Sequence, residues 1–300
     1  MRIFRWVVVL GLITAGGTWF VARPNPLAAA DVAGLAGDAA KGEDVFWAAG
    51  CASCHMLAEA RGDAQLVLAG GQRFPSPFGT FVAPNISQDA THGIGGWSLL
   101  DLANALKRGV SPQGQHYFPA LPYAAYAKMD LQDIADLYAF LQTLPADPTP
   151  SQPHDLNFPF SSREAVGLWK LLYLSEDWAV AGNLTPTAAR GRYIAEALAH
   201  CGECHTPRGA LGGLGTTRWL QGAPNPSGEG KIPDITPATL DWAEADIVAY
   251  LTTGFTPDFD VVGGHMAHVV ENLARLPEAD REAVARYLVE LPGPKLLEGQ

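Results

Sequence analysis

Three hundred residues with 48% hydrophobic and 9% aromatic content hold enough apolar material for buried cores, which excludes a largely disordered chain. A formal net charge of −11 argues against nucleic acid as a partner. The length points to about two domains, and 32 glycines with 23 prolines suggest short helices joined by long irregular segments.

The first thirty residues set the compartment. Arg2 and Arg5 precede WVVVLGLITAGGTWFVA, residues 6–22, with no further charge until Arg23. This predicts an export segment over 1–30, its positive end kept in the cytoplasm. As a helix the apolar run rises about 25 Å, close to a bilayer span. Cleavage after LAAA (27–30) is the alternative; an uncleaved inner-membrane anchor is preferred, because that site lies several residues past the apolar run. Either way the bulk of the chain leaves the cytoplasm.

Two similar units follow, 35–145 and 185–293, joined by a proline-rich linker and helix over 146–184. AAKGEDVFWAAG and AARGRYIAEALAH read as helices carrying one glycine each, Gly42 and Gly191, which let another helix cross closely. PNI (84–86) answers PDI (233–235). WSLLDLANALKRG (97–109) answers WAEADIVAYLTTG (242–254), each opened by tryptophan and closed by a helix-ending glycine. DIADLYAFLQTLP (133–145) answers DREAVARYLVELP (280–292), both helical by pattern. The chain reads as a duplicated, all-α unit with long loops. The one extended candidate is FGTFVAP (78–84). Between the units, PADPTPSQPHDLNFPF (145–160) forbids a helix and forms a linker or an arm laid over a surface, and a helix is expected within 162–180.

The chemistry sits in CASCH (51–55) and CGECH (201–205), which hold every cysteine of the chain. Two thiols on one helical turn reach neighbouring points of a flat ligand while the adjoining histidine stands perpendicular to it. That arrangement suits covalent haem, with Cys51 and Cys54, then Cys201 and Cys204, as thioether donors and His55 and His205 on iron. The rivals are a CxxC redox pair, which needs a βαβ setting, a zinc site, which needs four ligands, and two small disulfides. Export agrees with haem, because attachment of this kind takes place outside the cytoplasm in bacteria.

The opposite face of each iron decides function. Met1 is the initiator and Met56 adjoins His55, which leaves Met129 and Met266, one per unit, as the expected sixth ligands. His116, His265 and His268 compete with them. Trp97, Trp242, Tyr123 and Tyr126 are candidates to pack on the porphyrins, Arg208 to pair with a propionate, and Pro207 to set the loop behind the iron histidine.

VAPNIS, GIGGWSLLDLANALKRGVSPQGQHYFPALPYAAYAKM, HCGECHTPRGALGG and FTPDFDVVGGHMAHVVENLARLP together resemble the multihaem c-type cytochromes of the bacterial periplasm. The nearest groups are the cytochrome subunits of membrane-bound alcohol, gluconate and sugar dehydrogenases and their free-standing dihaem kin. The resemblance spans 35–293 and implies two tandem class I-like cytochrome c domains, crossed terminal helices, and Met266 of GGHM as an iron ligand. Two departures stand out: two haem motifs where such subunits often carry three, and Leu121 where some relatives have methionine. The expected role is electron transfer from a periplasmic dehydrogenase or quinol-linked donor to a terminal oxidase or soluble cytochrome. The alternative is a dihaem peroxidase or thiosulfate-oxidising enzyme.

Overall fold

The computed structural model describes residues 2–292 except 227 and 229, with part of the side chains of the first helix. The expected end of the second unit at 293 lies just outside the described residues. In chain order the elements are α1 (Arg2–Ala22), α2 (Ala39–Ala48), α3 (Cys51–His55), β1 (Arg73–Ser76), β2 (Gly79–Val82), α4 (Leu99–Ala103), α5 (Tyr123–Tyr126) and α6 (Leu131–Leu141). Then come β3 (Asp155–Leu156), α7 (Arg163–Tyr173), α8 (Pro186–Arg192), α9 (Gly202–His205), β4 (Ala223–Pro224), β5 (Lys231–Ile232), α10 (Glu244–Thr253), α11 (Met266–Leu273) and α12 (Glu278–Val289). Both α4 and α8 run on into wider π-type turns, Asn104–Arg108 and Tyr193–Leu198.

The first and last helices of each unit cross where the glycines predicted. α2 packs on α6 and α8 on α12. A Cβ on Gly42 would stand 1.9 Å from Asp136 O, and one on Gly191 1.8 Å from Ala283 O, so neither crossing tolerates a side chain. The caps are local. Asp38 accepts from Ala40 N at 2.9 Å ahead of α2, and Thr185 accepts from Ala188 N at 3.3 Å ahead of α8, whose first residue is Pro186.

The all-α expectation is corrected by two small sheets. β1, β2 and β3 form an antiparallel sheet in that order, and β4 pairs with β5. Residues 78–84 supply β2, as their extended reading predicts. Its partners were not legible: β1 carries Pro75 on a sheet edge, where a missing N–H costs no ladder bond, and β3 comes from the proline-rich arm. That arm is pinned to the first unit. Val82 N donates to His154 Nδ1 at 3.1 Å, Asn85 N to Ser151 Oγ at 2.9 Å, and Asn85 Nδ2 to Asp147 O and Thr149 O, both at 2.8 Å.

The apolar N-terminal segment is helical, but the membrane-spanning helix expected there is not supported. Among the described residues no helix is long and apolar enough to cross a membrane. α1 lies against α7, and its last carbonyl, Ala22 O, accepts from His116 Nε2 at 2.8 Å. One apolar core runs through both units, joining Phe46, Trp47, Met129 and Leu137 to Ile194, Leu198, Leu220 and Tyr287.

Candidate functional site

The two motifs sit in matching frames. CASCH forms α3 just after α2, and CGECH forms α9 with its N-cap Cys201 just after the wide turn that ends α8. His55 Nδ1 donates to Pro84 O at 2.8 Å and His205 Nδ1 to Pro233 O at 2.8 Å. Gly70 N donates to His55 O at 2.7 Å, and Gly222 N to His205 O at 2.7 Å. Ile86 N meets Leu68 O, and Ile235 N meets Leu220 O, both at 3.0 Å. Burial lowers the pKa of both histidines, against the raising effect of their carbonyl partners. Each ring is therefore neutral with Nδ1 spent on a backbone oxygen and Nε2 left as a lone-pair donor, the form a metal requires. The carbonyls belong to Pro84 and Pro233 rather than to the neighbourhood of Pro207, whose own carbonyl accepts from Gly215 N. The repeated PNI and PDI carried this signal in the sequence; their role as histidine-orienting loops was missed.

All four cysteines are free thiols. Burial pushes Cys51 and Cys201 up to about 12, and Cys54 to about 11. Thiols so strongly protonated at neutral pH do not serve as a thiolate redox couple. Among the described residues no group of three or more histidine, cysteine, aspartate or glutamate side chains is placed to hold a metal ion. Cys54 and Cys204 expose surface to solvent even though surrounding protein raises both thiols. Burial is the main cause of the raised Cys54 pKa, with a smaller contribution from Cys204. Neutral, oriented imidazoles beside free thiols fit a haem attached at each motif.

Met129 is fully buried, and its backbone is held by Lys107 Nζ, which donates to Met129 O at 2.7 Å. Met266 opens α11 and packs on the core while partly exposed. The competing histidines have other occupations. His116 is buried between Ala22 O and Lys170 Nζ, the latter 3.1 Å from its Nδ1. His265 is exposed beside Phe74, and His268 faces Glu271 at 3.6 Å. Arg208, a candidate for a propionate, instead pairs with Glu203 and donates to Gly212 O at 2.7 Å. Trp97 and Trp242 pack at the core edge, while Tyr123 and Tyr126 are inside it. Among the described residues the buried Tyr123 hydroxyl has no hydrogen-bond partner.

Contacts across the units converge on the first motif. Asn272 Nδ2 of α11 donates to Ser53 Oγ, inside CASCH, at 2.8 Å. Arg275 lies 3.9 Å over the Trp47 ring and donates to Gln65 Oε1 at 2.9 Å. In the other direction, Asp130 N donates to Tyr193 Oη at 3.1 Å, and that hydroxyl donates to Asp133 at 2.5 Å. None of these pairs carries a sequence signal, since the partners lie up to 219 positions apart.

Known proteins place the chain. A family model described as Cytochrome c matches residues 39–145 and again 188–292. A diheme cytochrome c-type protein of Cereibacter sphaeroides is 54% identical over 278 residues, covering 93% of this chain and 94% of that one. The fructose dehydrogenase cytochrome subunit of Gluconobacter japonicus is 36% identical over 260 residues, 84% of this chain but 52% of that one. The gluconate 2-dehydrogenase cytochrome c subunit of Pantoea cypripedii is 31% identical over 264 residues, 84% and 59% of the two chains. This chain thus spans little more than half the length of the two dehydrogenase subunits.

Proposed function

Because this chain belongs to the cytochrome c family and is a diheme cytochrome c with two covalently bound haem c groups, we propose that it transfers electrons between a dehydrogenase or quinol-linked donor and a terminal oxidase or soluble cytochrome. Bound haem c supplies reversible one-electron chemistry at iron. The chain's part is attachment, ligation and shielding. Cys51 and Cys54 hold one group and Cys201 and Cys204 the other. His55 with Met129, and His205 with Met266, would ligate the two irons. The units 35–145 and 185–293 house one group each, with 146–184 between them.

The observation that carries this reading is the twice-repeated histidine, fixed through Nδ1 by a proline carbonyl 2.8 Å away. A ligand so held changes little as charge comes and goes, which suits a carrier. The peroxidase or thiosulfate-oxidising alternative loses its acid–base candidate, because both ring nitrogens of His116 are engaged.

The periplasm is the proposed compartment, with 1–30 as the export segment. Phe4, Trp6, Leu10, Trp19 and Phe20 of α1 are exposed, which suits attachment at the inner membrane. A dehydrogenase is the proposed partner, since fructose and gluconate dehydrogenase cytochrome subunits are among the relatives.

Electron paramagnetic resonance of the resting holoprotein tests the proposal, alongside assays with peroxide and thiosulfate. Two low-spin irons and no turnover are expected. A high-spin resting iron that binds carbon monoxide, or turnover of either compound by the isolated protein, would replace the carrier with an enzyme.

A further inference from the structure

Each unit carries the same small hairpin after its tryptophan-led helix. In the first, Val110 bridges His116, Ser111 N donates to Gln115 O at 2.8 Å, Gly114 N to Ser111 O at 2.8 Å, and Tyr117 N to Gly109 O at 2.7 Å. In the second, Phe255 bridges Val261, Thr256 N donates to Asp260 O at 2.9 Å, Phe259 N to Thr256 O at 2.9 Å, and Val262 N to Gly254 O at 2.8 Å. The two hairpins share one bridge and hydrogen-bond pattern position by position.

Their surroundings differ. The first is roofed by α7. Lys170 Nζ donates to Arg108 O at 2.6 Å and Gly109 O at 2.7 Å, Arg163 Nη1 donates to His116 O at 2.6 Å, and Val110 and His116 are buried. In the second unit the same positions are bare: Phe255 is 52% exposed and Val261 62%. At the tip, Gly114 (φ +73°) is answered by Phe259 at φ +62°, a left-handed conformation that glycine enters freely and phenylalanine does not. The Phe259 ring is 86% exposed. Backbone strain that presents an uncovered aromatic gives nothing to folding.

We propose that the 255–262 hairpin is the docking surface for the redox partner, and that its occupant is an amphipathic helix with an apolar stripe and a lysine or arginine. The roof of the first hairpin is such a helix, and Thr253 and Gly254 stand where Arg108 and Gly109 receive Lys170. Charge agrees. Asp258 and Asp260 flank Phe259, and the adjoining groove of about 590 Å³ between α10 and α12 is rimmed by Glu278 and Glu282 as well as Thr253. A cationic partner face is complementary to this rim. The surface lies four residues before Met266, next to the proposed ligand segment of the second unit. The inference rests on the carrier reading only in calling the partner a redox protein.

The probe is a synthetic peptide with the sequence of residues 162–175, SREAVGLWKLLYLS, titrated into the full-length holoprotein. Saturable binding is expected. It should weaken at least tenfold when the protein carries Phe259→Gly with Val261→Ser, or when the peptide carries Lys170→Glu. Phe259→Gly restores the residue type of the first hairpin, and Val261→Ser alone gives a second reading of the same face. Unchanged thermal unfolding and low-spin spectra show that both variants are intact; loss of the low-spin signature in the wild type would count against the carrier reading and leave the docking result standing. No saturable binding, or equal binding by wild type and variants, overturns the proposal. So does a homodimer at micromolar concentration that Phe259→Gly dissolves, because the occupant is then a second copy.

Discussion

Tyr126 of the first unit and His200 of the second meet edge to face, ring centroids 5.7 Å apart at 71°. His200 immediately precedes Cys201 and holds φ +43°, the conformation that Gly50 holds ahead of Cys51. The Tyr126 hydroxyl donates to Ala49 O at 2.8 Å, two residues before Cys51. One side chain therefore touches the backbone entering one motif and the residue entering the other. Tyr126→Phe is expected to cost about 1 kcal/mol for the lost hydrogen bond, and Tyr126→Ala about 3–5 kcal/mol for the cavity. Thermal unfolding followed by circular dichroism checks this: the alanine variant should separate a cooperative transition into two, and the phenylalanine variant should not.

The helix crossings give a sharper contrast. Alanine at Gly42 or Gly191 places a methyl within 1.9 Å of a backbone carbonyl, and backbone on both sides has little room to retreat. Each substitution is expected to destabilise by about 2–3 kcal/mol, the range for overpacked contacts. Gly263, with open space around it, is the control, where alanine should stay within about 0.5 kcal/mol. Denaturant titration of the three variants decides it.

Acid should loosen the roof over the first hairpin. His116 accepts from Lys170 through Nδ1 and donates through Nε2 to Ala22 O, so the neutral ring satisfies both partners. Burial lowers its pKa below the ordinary value, with Lys170 adding to the effect and Ala22 O opposing it. The folded state thus binds this proton less readily than the unfolded chain. The contribution is complete above about pH 6.5 and is lost as pH falls through that value toward the folded pKa. Lys170 acts higher. Burial brings it from 10.5 to about 7, so the unfolded chain holds the extra proton between those values and stability rises with pH across that interval. Arg163, Glu164 and the Tyr123 ring, 4.7 Å from Lys170 Nζ, complete the surroundings. Unfolding free energies from pH 5 to 9 should show both slopes, and Lys170→Met should remove the upper one.

What the sequence made legible was what repeats or is chemically scarce. Gly42 and Gly191 predicted two crossings because a small residue recurring in one helical context has a packing cause. CASCH and CGECH stood out because they hold every cysteine. β2 was read as extended, but its partners escaped because β1 is four residues long and β3 only two, too short for alternation to register. The contacts between units, Asn272 with Ser53 or Tyr126 with His200, depend on tertiary placement that no local pattern encodes. Arg208 pairs with Glu203, five residues back in the same loop, a partner that a propionate assignment from the motif alone leaves out.

The central claim is that each unit holds its own iron from two sides, and one potentiometric titration with spectral detection tests it, run on the wild type, Met129→Ala and Met266→Ala. The wild type should titrate as two low-spin irons, and each substitution should turn one iron high-spin and lower its potential, since loss of a thioether removes the ligand that favours the reduced state. Low-spin spectra and potentials unchanged in both variants would show that the methionines are core residues only, and would take the ligand assignment down with them.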